Sequence, residues 1–367
     1  MIIHLVYPVD FKKISAPWSM GNNLYKHLSK WHKVIIYQWT SYEKILPKKG
    51  DILIGHAHPN PMTCFRRSLD NVNWAKKIIL QPFNSDKLQA SYIYKIINKV
   101  DLFIAITGDY WFKYIDKTIF KKWKKKMQKV DMAIDRKHYP QVKKKMNEIG
   151  KRKFLYIGND YKFNNYSKNT NFLQNIISNY DKGYFGCMGN KNFIGALNYG
   201  WADFKKKKFK QIISKYDFLI MTSNYDANPT TILEAMSWGL IPVVTKECGY
   251  FEHKGIINIP LNNLKKTINI LNNLQNINEQ KLLKLSKANI QNLKKKYSWN
   301  NINKIIRKNI LSQKKYKNIF FNQKEIKKFN FYEKKSPNYP LKIGNIYAFL
   351  KTSLKYFLLK ICLNYKK

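Results

Sequence analysis

A chain of 367 residues exceeds the size at which a single hydrophobic core stops growing, so two domains are expected. Apolar residues at 44% and aromatics at 15% supply too much packing material for a disordered chain, despite 25% charged residues. A net charge of +46 points to anionic partners, but nucleic acid, lipid headgroups and phosphorylated substrates all meet that description, and most lysines of so Lys-rich a chain read as solvated faces.

The opening run MIIHLVYP lacks a basic n-region and meets Asp10 after few apolar residues, so it reads as a first strand rather than a secretory leader. Short apolar runs follow at intervals, IIHLVY, VIIYQW, DILIGHAH, KIILQPF and DLFIAIT, separated by helix-length stretches such as PWSMGNNLYKHLSK. This rhythm predicts an α/β fold with a parallel sheet covered by helices on both faces. The polar, basic stretch Lys143–Lys153 marks a break, and FLYIG opens a second sheet. A polar middle, DFLIMTS, a helix, IPVVT and a helical stretch from about Leu261 to Ile310 complete a second doubly wound domain. The predicted division is 1–148, 149–312 and a basic, aromatic extension 313–367.

That extension carries 14 Lys against 2 Glu from Lys314 onward. Its last segment mixes Leu, Ile, Phe and Tyr with Lys351, Lys355, Lys360, Lys366 and Lys367, which suits either a lipid interface or a helix packed on the body. No stretch reaches the roughly 18 to 20 uninterrupted apolar residues of a spanning helix, so membrane contact is expected to be peripheral. Cys64, Cys187, Cys248 and Cys362 form no C-x-x-C pair, which predicts reduced thiols in a cytoplasmic protein and no zinc site.

The most informative stretch is DFLIMTSNYDANPTTILEAMSWGLIPVVT, residues 217–245. Residues 218–222 form a buried strand, Asn228 is placed to cap a helix, Pro229 suits the first helical position, and Gly239 supplies the left-handed residue past its end. A helix over Pro229–Trp238 followed by the strand IPVVT makes a βαβ unit. In parallel sheets ligands bind beyond the carboxyl ends of the strands, so the loop 223–228 and the helix start belong to a site. The N–H groups near Thr230 and Thr231, with the helix dipole, suit a diphosphate. Asp226 and Glu234 present carboxylates suited to accepting hydrogen bonds from hydroxyls. The competing reading is that Glu234 merely solvates a helix surface.

Asp226-x7-Glu234 resembles the E-x7-E donor motif of glycosyltransferase family 4, with Asp in place of the first Glu, and PTTILEAMSWGLIPVV continues the likeness. The resemblance covers about residues 1–312 and is strongest over 217–252. It implies a GT-B fold, two Rossmann-like domains facing a cleft, with Asp226 contacting the transferred sugar and Glu234 the donor ribose. CGYFE at 248–252 is similar to the family's G-G-x-P-E loop, aligning Gly249 and Glu252 and putting Cys248 in place of the first glycine. FLYIGND and KNTNFL resemble the G-R loop and K-G motif. This places Gly158 and Asn159 beside the donor, with Asn159 where an arginine is usual, and Lys168 on the diphosphate; a solvated lysine is the alternative. NYGWADF near Gly200 resembles the strand facing the nucleobase, YSWNNINKII the terminal helix, and VDMAIDRKHY the segment before the hinge.

On the acceptor side Phe83 and Asn84 occupy the positions where relatives often carry a histidine; His58, ending an earlier strand beside His56, is the remaining candidate. Gly21 is expected to let the first helix approach the donor phosphates. The resemblance implies a retaining transfer from a nucleotide-diphosphate sugar to a lipid-linked or polysaccharide acceptor. No permanent cofactor and no metal are implied, since no D-x-D motif accompanies the site. The run Lys121, Lys122, Trp123, Lys124, Lys125, Lys126 and the tail suggest contact with anionic membrane. Two other readings stay open: a basic nucleic-acid-binding protein, for which no specific motif is present, and a GT-B module that binds sugar nucleotides without turnover.

Overall fold

A computed structural model describes residues 1–159, 165–181, 183–251, 253–312, 317–335 and 354. The chain forms two compact units. One holds Met1–Ile106, Tyr114–Val130 and the described residues from Asn303 onward; the other holds Thr107–Lys113 and Asp131–Ile302.

The first unit is built on six parallel strands: β1 (Ile2–Val6), β2 (Lys33–Tyr37), β3 (Asp51–Gly55), β4 (Trp74–Pro82), β5 (Leu102–Ile106) and β6 (Met127–Val130). Their order is β2-β1-β3-β4-β5-β6. β3 and β5 are buried along their whole length, which explains why both read as unbroken apolar runs rather than alternating ones. The helices are α1 (Trp18–Leu28), α2 (Cys64–Ser68), α3 (Lys87–Ile93) and α4 (Asp109–Tyr114), the last lying across the division between the units. Gly21 lies in α1, where an added Cβ would stand 2.1 Å from the Pro8 carbonyl oxygen. The chain's own backbone therefore fills the space this glycine leaves.

The second unit also has six parallel strands: β7 (Phe154–Ile157), β8 (Phe185–Met188), β9 (Leu197–Asn198), β10 (Phe218–Met221), β11 (Ile241–Thr245) and β12 (Ile257–Ile259), in the order β12-β11-β10-β7-β8-β9. The chain runs outward from β7 through β9 and returns to lay β10 beside β7, so a topological switch point lies between those two strands. Around the sheet are α5 (Asn165–Lys168), α6 (Thr170–Ser178), α7 (Lys207–Ile213), α8 (Thr230–Trp238), α9 (Leu264–Gln275) and α10 (Glu279–Lys295). Phe154 stacks between Phe185 and Phe218 at the centre of the core.

Three local expectations change. The helical stretch predicted over 261–310 is three helices, α9, α10 and α11 (Trp299–Leu311), because Asn263 and Asn278 cap two new starts by accepting the Lys266 and Gln280 N–H groups. The strand expected near Gly200 is the two-residue β9, which ends before it. The basic run 121–126 does not present Trp123 or Lys126 to a membrane. Trp123 is fully buried between Phe120 and Phe329, and the buried Lys126 Nζ donates to the Ile97 and Val100 carbonyls at 3.2 and 2.9 Å. Phe329 belongs to α12 (Gln323–Lys335), which packs on α3. The tail beyond residue 335, Leu354 apart, lies outside the described residues, as does Cys362.

Candidate functional site

The carboxyl ends of β7 and β10 meet at the switch point of the second unit, where the segments carrying Gly158, Asn159, Lys168 and Asp226 come together. Gly158 follows β7, its N–H donating to the Met188 carbonyl at 3.0 Å, with the half-buried Asn159 next in the chain. Lys168 closes α5; Asn169 then takes the left-handed conformation (φ 51°) and turns the chain into α6. The loop after β10 is fastened to this corner. Asn224 N–H donates to the Ser167 carbonyl at 2.8 Å, and Thr222 Oγ1 to the Asn169 carbonyl at 3.1 Å.

These ties bring Lys168 and Asp226, 58 residues apart, into an ion pair whose side chains are 20% and 17% exposed. Burial disfavours the ammonium, but the Asp226 carboxylate outweighs it and holds the Lys168 pKa above the ordinary lysine value. The corner therefore holds one positive and one negative group at the carboxyl end of the sheet's two central strands.

Behind the loop, α8 begins at Thr230. Pro229 is its cap residue, with extended backbone angles, so the helix starts one residue later than predicted. Asn228 does not cap it. Its Oδ1 accepts instead from the Met132 N–H at 2.7 Å and the Tyr250 hydroxyl at 3.0 Å, fixing the loop base to the segment entering this unit. The first-turn amides at Thr230 and Thr231 have no intrahelical partner in any α-helix, and both residues are half-buried. Gly239 ends α8 in the left-handed conformation, as predicted.

Glu234 is not a surface carboxylate. It is 6% exposed, and burial pushes its pKa up to about 7 while hydrogen bonds with Tyr139 and Thr230 act the other way. Tyr139 was not legible as a site residue: it lies 95 positions away, and only the fold makes it a partner.

The loop after β11 completes the cluster. Gly249 has φ 88°, and an added Cβ would stand 2.4 Å from the Ala227 carbonyl, so a side chain there is excluded by both backbone and space. Asp226 N–H donates to the Glu247 carbonyl at 3.1 Å, joining the two loops. Glu247 itself, unmarked by any motif, is 7% exposed, accepts the Tyr110 hydroxyl at 3.2 Å and has its pKa raised by burial. Glu252 lies outside the described residues.

His58 and Gly21 belong to the first unit, at the carboxyl end of β3 and in α1. His58 is 7% exposed; its Nδ1 accepts the Asn60 N–H at 3.1 Å, which holds the turn after the strand, and burial followed by Arg66 lowers its pKa. Beside it, burial takes His56 down to about 3, with its ring edge-on to Trp39. Among the described residues no group of three or more His, Cys, Asp or Glu is arranged to hold a metal ion, and no helix is long and apolar enough to cross a membrane.

No protein-family model matches the chain. Over 50 residues it is 40% identical to the lipopolysaccharide 1,6-galactosyltransferase of Escherichia coli (strain K12), a stretch that spans 14% of each protein. Solved structures match over far more of the chain. Sucrose-phosphate synthase from Thermosynechococcus elongatus superposes with a TM-score of 0.62 at 9% identity, covering 84% of this chain and 97% of that one. Anabaena HepE, solved with UDP and glucose, gives 0.55 at 10% identity, covering 84% and 98%. TarM gives 0.53 at 15% identity over 72% of this chain, which spans about half (55%) of TarM. With the two six-stranded parallel sheets, these likenesses show a two-domain, Rossmann-like GT-B fold.

Proposed function

We propose that the chain is a retaining glycosyltransferase that moves a hexose from a nucleotide-diphosphate sugar to a glycan or lipid-linked acceptor, in the synthesis of a cell-surface polysaccharide or lipopolysaccharide. The observation that carries the reading is the Lys168–Asp226 pair beside the start of α8, with Glu234 buried one turn further along the same helix. A diphosphate carries the charge that Lys168 and the first-turn amides at Thr230 and Thr231 would stabilise, most strongly as it leaves, and this supports a transfer that needs no metal. Asp226 takes the sugar hydroxyls once the phosphate competes for Lys168, and Glu234 takes the ribose. In this reading Gly158, Asn159, Asn228 and Gly249 border the donor and the resemblance assigns Glu252 to it as well, while His58 is the acceptor-side candidate. The donor-phosphate role expected of Gly21 is not part of the proposal, because the Pro8 carbonyl occupies the space that glycine leaves. Retention follows the family resemblance, as does the choice of acceptor.

The printed names of the similar proteins support the donor class: HepE was solved with UDP and glucose, and the Escherichia coli relative is a lipopolysaccharide galactosyltransferase. Calorimetric titration with uridine, guanosine and adenosine diphosphate sugars tests the reading. Wild type is expected to bind one donor class and Glu234→Ala to lose it. Absence of binding across the panel sinks the proposal, and binding without turnover marks an inactive module.

A cytoplasmic protein touching the inner face of the membrane fits the acceptor class, and α12 supports that contact. Its acidic residues are engaged by the body, Glu325 with Lys122 at 2.7 Å and Glu333 with Lys95, which leaves Lys324, Lys327, Lys328 and Lys334 exposed along one face with Phe331. Flotation with anionic and neutral vesicles distinguishes this from general stickiness, and duplex DNA in the same assay tests the nucleic-acid alternative.

A further inference from the structure

The residues after β5 leave the first unit and pack within the second. There Gly108 N–H donates to the Ala227 carbonyl at 2.9 Å and Tyr110 N–H to the Gly249 carbonyl at 3.3 Å. Trp111 lies between these loops, 2% exposed and stacked on Tyr225 with ring centroids 5.5 Å apart. Its indole N–H is shared by two carbonyls, Asp226 at 2.8 Å and Glu247 at 3.0 Å. One donor thus holds a loop from each of two neighbouring strands. The Asp226 peptide is gripped on both sides, since its own N–H also reaches the Glu247 carbonyl.

We propose that Trp111 is a positioning residue for the sugar end of the donor: its N–H fixes the backbone of Asp226 and thereby aims that carboxylate. The inference rests on the donor reading of Asp226 given above. These bonds reach the backbone of Asp226 directly and Lys168 only through the Asp226 carboxylate, so the effect is expected to fall first on the sugar contact. Deleting the indole N–H leaves the Asp226 carbonyl without this donor while the Glu247 carbonyl keeps the Asp226 N–H, so the loss falls on the Asp226 loop.

The test is the full-length Trp111→Phe protein, which keeps an aromatic ring and deletes the N–H. Two measurements are made: amide hydrogen exchange across 224–228 without ligand, and calorimetric titration with the sugar nucleotide that wild type binds and with the matching nucleoside diphosphate. Faster exchange at the Asp226 amide is expected, with about tenfold weaker binding of the sugar nucleotide and unchanged binding of the nucleoside diphosphate, the size of one lost hydrogen bond. Equal weakening of both ligands would mean a general structural role, and unchanged exchange would mean that no clamp exists; either overturns the proposal. A wild type that binds no sugar nucleotide defeats the donor reading instead, and the exchange measurement still decides whether the clamp exists. If Trp111→Phe fails to fold, benzothienylalanine installed at position 111 keeps the bicyclic shape and replaces the N–H with sulfur, and the same outcomes apply.

Discussion

Glu234 is asked to do two things that oppose each other. As an acceptor for two hydroxyls it works best ionised, yet its burial favours the neutral acid and raises its pKa to about 7. The folded protein therefore holds a proton there that the unfolded chain releases near the ordinary glutamate value of 4.5. A raised carboxyl pKa means that stability declines as pH rises between those two values, by on the order of 3 kcal/mol in total if the whole shift is expressed. Chemical denaturation at pH 5, 6, 7 and 8 should show this decline in wild type and a flatter profile in Glu234→Gln. Donor binding should run the other way: ribose hydroxyls donating to the carboxylate favour ionisation, so affinity is expected to weaken as pH falls below 7, and to lose that dependence in Glu234→Gln. Replacing Lys168 separates a second contribution. Lys168→Ala should weaken diphosphate binding about 10- to 100-fold, the order of a lost charge-assisted hydrogen bond, while thermal stability changes little because the ion pair is partly solvated. A large loss of stability with intact binding would make the lysine structural. At this scale the sequence marked candidate side chains and hid their surroundings. Asp226 and Glu234 were candidates from their place in the βαβ unit and from the family resemblance, but nothing local revealed that Glu234 faces Tyr139 or that Asn228 serves Met132 rather than the helix start.

Elements were legible wherever both their physics and their punctuation were local. The buried strands, α8 and its glycine stop follow from apolar runs, proline and Gly239, all within a few residues of each other. Segments defined by distant partners were not. Residues 143–153 read as a polar break, yet they are fastened to the start of β10 by Asp217, which is fully buried. Asp217 accepts the Asn147 N–H at 2.7 Å, the Lys153 N–H at 2.9 Å and the Asn147 side-chain amide at 2.7 Å, and pairs with Lys143 at 3.0 Å. Asp217→Ala strips these donors and leaves the Lys143 ammonium buried without its carboxylate, an arrangement that costs about 3 to 5 kcal/mol. The midpoint of denaturant unfolding should fall accordingly. A change below about 1 kcal/mol would mean that Lys143 escapes to solvent and that the ties are individually weak.

For the whole molecule, the excess positive charge was plain from composition, but its distribution was not. Lys76, Lys126 and Lys143 are buried, the first donating to the Asn309 and Ile310 carbonyls near the end of α11 and the second to the turn after α3, so part of the basic character closes helix ends and turns instead of facing solvent. The basic run at 121–126 contributes little free surface for the same reason, with only Lys121 and Lys125 of its residues exposed. The exposed face of α12 is different, because its lysines at 324, 327, 328 and 334 recur at helical spacing and flank Phe331, which is 51% exposed. A bilayer with anionic headgroups offers both a negative surface and an interfacial layer for the ring, whereas soluble polyanions offer only the first. Each lysine near such a surface is worth about 1 kcal/mol, so the triple variant K324E/K327E/K328E should lose at least about 3 kcal/mol, or more than 100-fold in vesicle affinity. Phe331→Ser should lose a smaller amount that persists at high salt, because burial of a ring is not screened while lysine attraction is. If the triple variant floats with anionic vesicles as wild type does, α12 is not the contact; if both variants weaken duplex DNA and vesicles equally, the face is a general polyanion surface and the membrane reading fails.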